Sequence, residues 1–330
     1  MLTLVTGATG YLGVELVREL RSRDRPVRAL VRSDAAAARL DGLGVEAVRG
    51  DVTAPDTLGP ALEGVSRVFH LAGVVGHRAR DDQRLHAVNV VGARNMLAAC
   101  RTAVVERVVF TSSYSTCGPA AGPGHPRDEG AWMIDGDDGR PAFRYARSKA
   151  AGEQAALEAA AAGLDVVVAN PGFVIGPGDV HRVSSWGFEE YLRGRLRFTV
   201  PGGLSYVDAR DVAVGHLLVE ERGRTGERYI LTNDDGNLSH RDFFARVGRV
   251  IGRPRRQLHV STGVLTPLLR VGTALRLPVP LDADELASSA RWWFCTAAKA
   301  RSELGFHVRP LDETIRDTAD WLLADGYRRH

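Results

Sequence analysis

The sequence predicts an α/β fold with a doubly wound, parallel β-sheet and a smaller, mostly helical C-terminal lobe. Short runs rich in Val and Leu alternate with helix-length amphipathic segments from the first residue onward, which is the pattern of β-α-β units. Glycine is frequent, at 36 of 330 residues, and many glycines stand where apolar runs end. From Asn237 onward helical patterns dominate, so we expect the chain to end in a second lobe.

The elements follow from hydrophobic periodicity, taken in chain order. Short apolar runs predict strands at residues 2–6, 27–31, 45–49, 67–71, 107–111, 165–170 and 228–231. The clearest helices are expected at residues 85–101, 145–162 and 311–323. A further helix is expected to begin after Ser239, which is a plausible N-cap.

A long polar stretch interrupts this alternation. Between Gly118 and Ala142 the periodicity disappears among several Gly and Pro residues, and a loop of that length is usually functional or disordered. We assign residues 1–178, with residues 205–232 returning to them, to the sheet domain, and residues 179–204 and 233–330 to the second lobe.

Charge and cysteine content exclude several classes of protein. The 43 basic residues nearly balance the 40 acidic ones, without long runs of one sign, so a nucleic-acid partner is not expected. Cys100, Cys117 and Cys295 are an odd number without CxxC spacing, which argues against a disulfide framework or a zinc cluster and fits a reducing compartment. The chain opens with MLTLVTG and has no apolar run of about 18 residues. We therefore expect a cytoplasmic protein without a metal or a membrane-spanning segment.

The first strand runs directly into the glycine-rich turn TGATGYLG, residues 6–13. Glycines at a strand-to-helix turn let the backbone approach a pyrophosphate, whose charge the exposed N–H groups and the helix dipole stabilise. The turn therefore predicts a dinucleotide-binding site. The residues assigned to it are Thr6, Gly7, Gly10, Tyr11, Leu12 and Gly13.

The residues after the second strand distinguish the two nicotinamide dinucleotides. An acidic residue there accepts hydrogen bonds from a free ribose 2′-OH, whereas an arginine offers a planar cationic fork to a 2′-phosphate. Val31 carries no carboxylate, and Arg32 and Ser33 follow it. This pattern favours NADP over NAD, with a merely solvated Arg32 as the alternative.

Two further loops lie at the same edge of the sheet. Asp51, after the third strand, could reach an adenine amino group while Val52 packs on the ring; alternatively, Asp51 caps the next helix. After the fourth strand, the segment Leu71, Ala72 and Gly73 offers small residues where a cofactor would cross the sheet.

Tyr145 and Lys149 are four residues apart at the start of an Ala-rich helix, so both side chains lie on one face. A tyrosine hydroxyl, with a reference pKa of about 10, needs a nearby cation for acid–base work at neutral pH. Only two of the 43 basic residues are lysines, Lys149 and Lys299. A lysine in a chain that otherwise uses arginine indicates a site that requires a compact ammonium.

The fifth strand ends in FTSS, which delivers the hydroxyls of Thr111 and Ser113 to the carboxyl edge of the sheet. One serine could donate a hydrogen bond to a substrate carbonyl or alkoxide. Asn89 lies inside a predicted helix, an unusual place for Asn unless its amide binds a backbone carbonyl or holds a water. A proton-relay role and a structural role are both open for it.

Together these segments resemble the extended branch of the short-chain dehydrogenase/reductase superfamily, whose members join a Rossmann-type domain to a C-terminal substrate lobe. TGATGYLG, GDV, HLAG, FTSS, YARSK, NPGFVIGPGD, YVDARDVA and AAKARSELGF stand in the family's order along nearly the whole chain. The resemblance implies that Ser113 orients a carbonyl, Tyr145 is the acid–base group, and Lys149 binds the ribose and lowers the pKa of Tyr145. It also implies a nicotinamide bordered by Pro171, Gly172, Phe173 and Val174, and a homodimer formed through the helices predicted at 85–101 and 145–162.

Departures from the family's pattern narrow the reaction. Residues 113–118 lack the Thr-Asp-Glu triplet of the family's dehydratases, so dehydration is not expected. The Arg that nucleotide-sugar epimerases carry before the tyrosine of YVD is also missing, although Arg193, Arg195 and Arg197 lie nearby. With Arg32, the missing Arg and the nearby aromatic residues, the chain is instead similar to dihydroflavonol-reductase-like, 3β-hydroxysteroid-dehydrogenase-like and hopanoid-associated epimerase-like members.

We therefore predict an NADP-dependent oxidoreductase that reduces a ketone or aldehyde of a small apolar or polycyclic molecule, or oxidises the alcohol. One alternative is a sugar or sugar-nucleotide epimerase with tightly bound NAD, and another is a non-catalytic dinucleotide sensor. Aromatic residues after the sheet domain either line an apolar pocket or belong to a core. They are Trp186, Phe188, Tyr191 and Phe198.

Overall fold

A parallel central sheet and a smaller second sheet organise the computed structural model, which describes residues 1–76, 78–133, 143–274 and 283–325. The strands in these residues are β1 (Leu2–Thr6), β2 (Val27–Val31), β3 (Glu46–Arg49), β4 (Val65–His70), β5 (Arg107–Thr111), β6 (Val166–Pro171), β7 (Phe173–Ile175), β8 (Phe198–Thr199), β9 (Gly203–Asp208), β10 (Arg228–Leu231), β11 (Asn237–Ser239), β12 (Leu258–His259) and β13 (Trp292–Trp293). The α-helices are α1 (Tyr11–Ser22), α2 (Asp34–Ala38), α3 (Leu58–Leu62), α4 (Asp82–Leu85), α5 (Ala93–Thr102), α6 (Arg144–Ala161), α7 (Trp186–Leu192), α8 (Ala209–Arg222), α9 (His240–Val250), α10 (Thr262–Ala274), α11 (Ala283–Ser289) and α12 (Leu311–Ala324). Short 3-10 helices lie at Pro55–Thr57, Ala79–Asp81, Tyr114–Cys117 and Asp234–Gly236, and π-helical turns at His86–Gly92 and Ala300–Leu304.

Within the described residues, the central sheet has seven parallel strands in the order β10-β6-β5-β4-β1-β2-β3. The chain runs outward from β1 to β3 and then returns to β4 on the other side of β1, so the strand order reverses between β1 and β4. In open α/β sheets, ligands bind outside the carboxyl ends of the strands at such a reversal. The predicted α/β fold with a doubly wound parallel sheet is confirmed.

Strand positions agree closely with the prediction. β1, β2, β5 and β10 have the predicted bounds, and β3 begins one residue later than predicted. β4 covers Val65–His70 rather than residues 67–71, so Leu71 lies in the following loop. Ser239 caps α9 as predicted, because its hydroxyl accepts a hydrogen bond from the N–H of Asp242.

The strands of the central sheet are buried on both faces, except the exposed edge strand β3. In β1, Leu4 and Val5 are both fully buried but belong to separate apolar clusters, because successive side chains of a strand point to opposite faces. The cluster of Leu4 includes Met96 of α5, and the cluster of Val5 includes Leu16 of α1. Burial on both faces is the reason for the continuous apolar runs in the sequence.

The second sheet is built around β9. β7 and β13 pair with it in parallel, and β11 pairs with it in the antiparallel direction. Of the four aromatic residues singled out in the sequence, Phe188 and Tyr191 of α7 belong to an apolar core, whereas Trp186 and Phe198 are 47% and 38% exposed. They therefore do not line one pocket together, and the core interpretation applies to two of them.

The helix predicted at 85–101 is one helical segment with a π-turn inside it. α4 ends at Leu85, the π-turn covers His86–Gly92, and α5 begins at Ala93. Such turns are rare and frequently occur at functional sites. Asn89 lies in the middle of this turn.

The described part of the predicted loop, residues 118–133, is fixed by backbone hydrogen bonds. The N–H of Ala120 donates to the carbonyl of Trp292, that of Arg127 to Phe294, and that of Met133 to Thr116, at 2.7, 2.8 and 2.8 Å. Residues 134–142 lie outside the described residues.

The described residues lack two kinds of feature. No helix in them is long and apolar enough to cross a bilayer. The same residues bring together no group of three or more His, Cys, Asp or Glu side chains that could hold a metal ion.

Candidate active site

The glycine turn after β1 leads into an open helix N-terminus. Gly10 is the N-cap of α1, is exposed, and offers no side-chain cap. The N–H groups of Tyr11, Leu12 and Gly13 are the first of the helix and have no acceptor within it. Because such groups and the helix dipole bind anions, this terminus fits a pyrophosphate.

The three glycines of the motif have different roles. Gly7 has a φ of +69°, and a Cβ there would lie 2.8 Å from the carbonyl carbon of Leu71. A Cβ on Gly13 would lie 2.1 Å from the carbonyl oxygen of Gly7. Backbone packing therefore requires Gly7 and Gly13, whereas a Cβ on Gly10 would come no closer than 3.1 Å to that oxygen. Gly10 borders the open side of the turn.

The hydroxyl of Tyr11 is buried beside this turn and has no hydrogen-bond partner among the described residues. Burial raises its pKa, and the nearby charge of Asp208 acts in the same direction. A Cβ on Gly176 would lie 2.8 Å from this hydroxyl oxygen. A buried donor without an acceptor, next to an open helix terminus, fits a site completed by a bound polar group.

Thr6 supports the turn from inside the protein. Its fully buried hydroxyl is hydrogen-bonded to Nδ1 of His70 at 2.9 Å and accepts from the N–H of Ala72 at 3.0 Å. The N–H of Leu71 donates to the carbonyl of Thr6 at 3.2 Å. These bonds hold the segment 71–73 at the point where the strand order reverses.

Arg32 is exposed at the carboxyl end of β2, and no described residue forms a hydrogen bond or ion pair with it. The oxygen of Ser33 caps α2 by accepting from the N–H of Ala36 at 3.2 Å. The guanidinium of Arg32 and the hydroxyl hydrogen of Ser33 are thus available to a ligand.

Asp51 forms a local turn, which agrees with the capping alternative only in part. One carboxylate oxygen accepts from the N–H and the hydroxyl of Thr53, both at 2.8 Å. Val52 is buried, and its carbonyl accepts from the amide of Asn95 at 2.9 Å. The contacts of Asp51 and Val52 with an adenine stay predictions.

Tyr145 and Ser113 lie side by side. Tyr145 is half-buried in the first turn of α6, and Ser113 follows the carboxyl end of β5. Burial raises the pKa of Tyr145 to about 12, and a hydrogen bond with Ser113 acts in the opposite direction. The oxygen of Ser113 also accepts from the N–H and the hydroxyl of Ser115, at 3.2 and 2.9 Å. These hydroxyls form one cluster at the edge of the sheet.

Lys149 is buried one helical turn after Tyr145. Its ammonium donates to the carbonyl of Thr111 at 2.7 Å, and burial lowers its pKa to about 8. A Cβ on Gly73 would lie 3.8 Å from Nζ, so the glycine keeps the space beside the ammonium open. Lys149 therefore reaches the crevice between the ends of β4 and β5, and its effect on the pKa of Tyr145 stays a prediction.

Asn89 ties three segments together. Its amide oxygen accepts from the N–H of Val74 at 2.9 Å, and its amide nitrogen donates to the carbonyl of Val74 and the hydroxyl of Ser148 at 3.0 and 2.9 Å. The side chain thus positions the loop after β4 against α6. Its amide is occupied by the protein, and a proton-relay role stays a prediction.

The segment Pro171, Gly172, Phe173 and Val174 connects β6 to β7, beside the end of β5. A Cβ on Gly172 would lie 2.6 Å from the hydroxyl of Thr232, so close packing requires the glycine. The predicted border with a nicotinamide is not tested by these contacts.

A buried ion pair behind the site was missed by sequence reasoning. Glu153, fully buried on α6 four residues after Lys149, pairs with Arg228 of β10. The same carboxylate accepts from the amide of Asn170 at 2.9 Å and from the hydroxyl of Ser112. A carboxylate on the buried face of an Ala-rich helix was the available signal, because a buried charge requires a partner.

A cavity of about 650 Å³ opens at the opposite, amino-terminal edge of the sheet. Arg25 and Arg67 in its lining both pair with Glu220, and Arg107 pairs with Asp165. Opposite charges therefore satisfy each other there, and the cavity is not part of the site around Tyr145.

A Gly-rich turn at the strand reversal, with a Tyr and a Lys one helical turn apart, defines an NAD(P)-dependent oxidoreductase of the extended short-chain dehydrogenase/reductase type. The chain belongs to the NAD dependent epimerase/dehydratase family, whose sequence pattern matches residues 3–232. The resemblance found in the sequence is confirmed.

Two curated proteins and one solved structure illustrate the similarity. The chain is 39% identical to "Sterol demethylase protein B" of Methylococcus capsulatus over 86% of this chain and 82% of that protein. It is 32% identical to the "4-hydroxy-2-methyl-3-oxo-4-farnesyl-3,4-dihydroquinoline-1-oxide ketoreductase" of Stigmatella aurantiaca over 94% of this chain and 92% of that protein. The crystal structure of PA4631, described as a nucleoside-diphosphate-sugar epimerase from Pseudomonas aeruginosa, superposes with a TM-score of 0.81, is 27% identical, and covers 99% of each chain.

Proposed function

We propose that the chain is an NADP-dependent reductase that converts a ketone or aldehyde of a small lipophilic molecule to the alcohol, with Tyr145 as general acid. The observation that carries the proposal is the hydroxyl cluster of Ser113 and Tyr145 beside the buried ammonium of Lys149. All three lie at the carboxyl ends of β4 and β5, next to the strand reversal.

A bound nicotinamide would supply the hydride. Ser113 would donate a hydrogen bond to the carbonyl oxygen of the substrate, and Tyr145 would give its proton to that oxygen as negative charge develops. With a pKa of about 12, Tyr145 holds its proton at neutral pH. The ammonium of Lys149 would stabilise the tyrosinate that remains, and the same groups in reverse would serve alcohol oxidation.

The preference for NADP is supported by Arg32. Its guanidinium is exposed at the end of β2 and has no partner among the described residues. The preceding residue is Val31, so no carboxylate is present there to bind a free ribose 2′-OH. A 2′-phosphate accepts two hydrogen bonds from such a planar fork. A dinucleotide without that phosphate offers it no negative charge.

A lipophilic substrate is supported by the surroundings of Tyr145. The ring of Phe143 lies 6.1 Å from that of Tyr145 and 6.5 Å from that of Trp293. Trp293 belongs to a buried apolar cluster that also contains Ala146. Three partly buried apolar side chains pack on this cluster, those of Met133, Phe173 and Leu204. The two curated relatives are named for a sterol and for a farnesyl-bearing ketone, and both groups are apolar.

The deciding experiment measures NADPH oxidation with a panel of lipophilic ketones, together with NADPH affinity by fluorescence. Tyr145→Phe should lower kcat by at least about 100-fold and leave the Kd for NADPH within about twofold, because the ring remains and only the proton donor is lost. Tyr229→Phe is the matched control, since that hydroxyl binds Glu303.

Two outcomes contradict the proposal. Unchanged turnover in Tyr145→Phe removes Tyr145 from the mechanism. Purified protein that carries bound NAD and consumes no added NADPH favours the epimerase alternative.

We extend the proposal to a homodimer formed through α5 and α6. Both helices present small or apolar exposed residues, among them Ala98 and Ala151, which suit close helix packing. Light scattering should give twice the mass of one chain, and Ala151→Arg should give the monomer.

A further inference from the structure

Arg228 uses all of its donors inside the protein. The residue is 8% exposed, and its five side-chain N–H groups meet five acceptors. These are the carboxylate of Glu153, the carbonyls of Glu129 and Ala131 at 2.8 Å each, the hydroxyl of Thr116 at 3.0 Å and the sulfur of Cys117 at 3.4 Å. The guanidinium also lies 4.6 Å from the ring of Trp132. Only a planar, branched cation reaches so many acceptors at once.

Two of these acceptors are linked to Ser113, Thr116 directly and Glu153 through Asn170. The carbonyl of Ser113 accepts from the hydroxyl of Thr116 at 2.8 Å and from the amide of Asn170 at 3.2 Å. Thr116 in turn accepts from the guanidinium of Arg228, which has no acceptor atom, so the hydroxyl hydrogen of Thr116 goes to the carbonyl of Ser113. Arg228 thereby fixes the direction of the hydrogen bond that holds Ser113.

Glu153 completes the arrangement from the helix that carries Tyr145 and Lys149. One of its oxygens binds Arg228, and the other accepts from Asn170 at 2.9 Å. Both residues that hold the carbonyl of Ser113 are therefore held by the Glu153–Arg228 pair. The group of Arg228, Glu153, Asn170 and Thr116 is called the Arg228 clamp below.

The clamp also holds the loop of residues 118–133. Arg228 binds two of its carbonyls, and the carboxylate of Glu129 accepts from the N–H of Ile230 at 2.8 Å. This second contact satisfies a backbone donor of β10, which is the edge strand of the sheet. The loop includes Met133, which packs on the apolar cluster that contains Ala146 and Trp293.

We propose that the Arg228 clamp is a positioning element that sets the geometry of Ser113 relative to Tyr145 and fixes one wall of the substrate site. Arg228 and Glu153 do not touch substrate and act through Ser113 and the loop. The inference rests on the proposed function, because it takes Ser113 as the residue that binds the carbonyl oxygen of the substrate.

The test is a cycle of variants at Arg228 and Ser113, assayed by NADPH oxidation with a ketone that the wild type reduces. Arg228→Lys keeps the charge but loses most of the five contacts, and should lower kcat about tenfold and raise KM while NADPH affinity stays within about twofold. In the Ser113→Ala background the same change should lower kcat by less than about twofold, because its effect on kcat runs through the hydroxyl of Ser113, whereas the rise in KM, which comes from the loop, should remain. Arg224→Lys, an exposed change four residues earlier, is the control.

Each result has a definite meaning. Full additivity of Arg228→Lys and Ser113→Ala in kcat overturns the inference and leaves the proposed function intact. A Ser113→Ala variant with wild-type kcat overturns both. Should Arg228→Lys not fold, the Glu153→Gln/Arg228→Met double variant removes both charges together and is the better-tolerated change. Wild-type kcat and KM in that folded variant overturn the inference.

Discussion

The hydroxyl of Thr111 donates to Nε2 of His216 across 2.9 Å, while Nδ1 of the same ring donates to the carbonyl of Val212 at 2.8 Å. Burial lowers the pKa of the ring to about 4, so at neutral pH the ring carries one hydrogen, which is on Nδ1, and Nε2 accepts. This pair joins β5 to α8 directly behind the carbonyl that receives Lys149. Neutrality of a buried ring has a consequence for stability at acidic pH.

Stability should fall below pH 6.5 because the unfolded chain protonates His216 and the folded chain does not. The pKa drops from an ordinary 6.5 to about 4 on folding, so the contribution is complete above pH 6.5 and is lost progressively as pH falls toward 4. Between these two pH values, the His216 contribution to the free energy of unfolding changes by about 1.4 kcal/mol per pH unit. Urea unfolding between pH 7.5 and 5 should show a shallower slope for His216→Gln and an unchanged slope for His125→Gln, an exposed control. Equal slopes in His216→Gln and wild type would contradict this.

Substitutions of Gly10 and Gly13 should have different effects, the first mainly on cofactor binding and the second mainly on stability. Gly13→Ala places a methyl 2.1 Å from a backbone oxygen and should cost about 2 kcal/mol of stability or more. Gly10→Ala brings a methyl 3.1 Å from the carbonyl oxygen of Gly7, a contact that a shift of a few tenths of an ångström relieves, and should therefore cost less stability than Gly13→Ala while weakening NADPH binding at least about tenfold, because the methyl covers the helix terminus. Gly59→Ala, with nothing within 4 Å of the added methyl, is the control for thermal melts and titrations. Undiminished NADPH affinity in Gly10→Ala would remove this terminus from the cofactor site.

Arg32 should control the choice between NADPH and NADH. Arg32→Gln removes a cation without breaking any bond to a described residue, so the Kd for NADPH should rise about 10- to 100-fold and the Kd for NADH should hardly change. Fluorescence titration of both dinucleotides, with the exposed Arg101→Gln as control, measures this. Equal weakening of both dinucleotides would assign Arg32 a general role and not a phosphate-specific one.

The ammonium of Lys149 should not be replaceable by a guanidinium. Lys149→Arg adds bulk to a buried site, whereas Lys299→Arg changes a partly exposed residue that pairs with Glu227. We expect the first to lose at least about 100-fold in kcat/KM and the second to keep wild-type activity. In the wild type, kcat/KM for reduction should fall as pH rises through about 8, where Lys149 of the free enzyme loses its proton. A flat profile up to pH 10 would show that the charge of Lys149 is not needed.

Local patterns were enough to predict the sheet and the residues around Tyr145. Because β1, β2 and β5 are buried on both faces, their sequences are apolar runs that can be recognised as strands. The four-residue spacing of Tyr145 and Lys149 is a property of one helix. The glycine turn is equally local. Each of these features can be read within a window of about ten residues.

Other features depend on contacts between distant segments. Glu153 and Arg228 are 75 residues apart, and the sequence around either residue does not indicate which residue it pairs with. The π-turn at His86–Gly92 likewise cannot be predicted from its own sequence. Asn89, in the middle of this turn, binds Val74 and Ser148, which belong to other segments. Burial of Phe188 and exposure of Trp186 on the same short helix are decided by how α7 packs, and not by residue type.

The place of Arg228 in the last strand of the sheet has a consequence for synthesis of the chain. A ribosome releases the glycine turn, Ser113, Tyr145 and Lys149 well before the residue that neutralises Glu153 has been made. Until β10 joins the edge of the sheet, the growing protein holds a carboxylate against Asn170 and Ser112 with no cation opposite it. A nascent chain that stops short of residue 228 therefore contains every reacting group proposed for the site and still lacks the cation that pairs with Glu153.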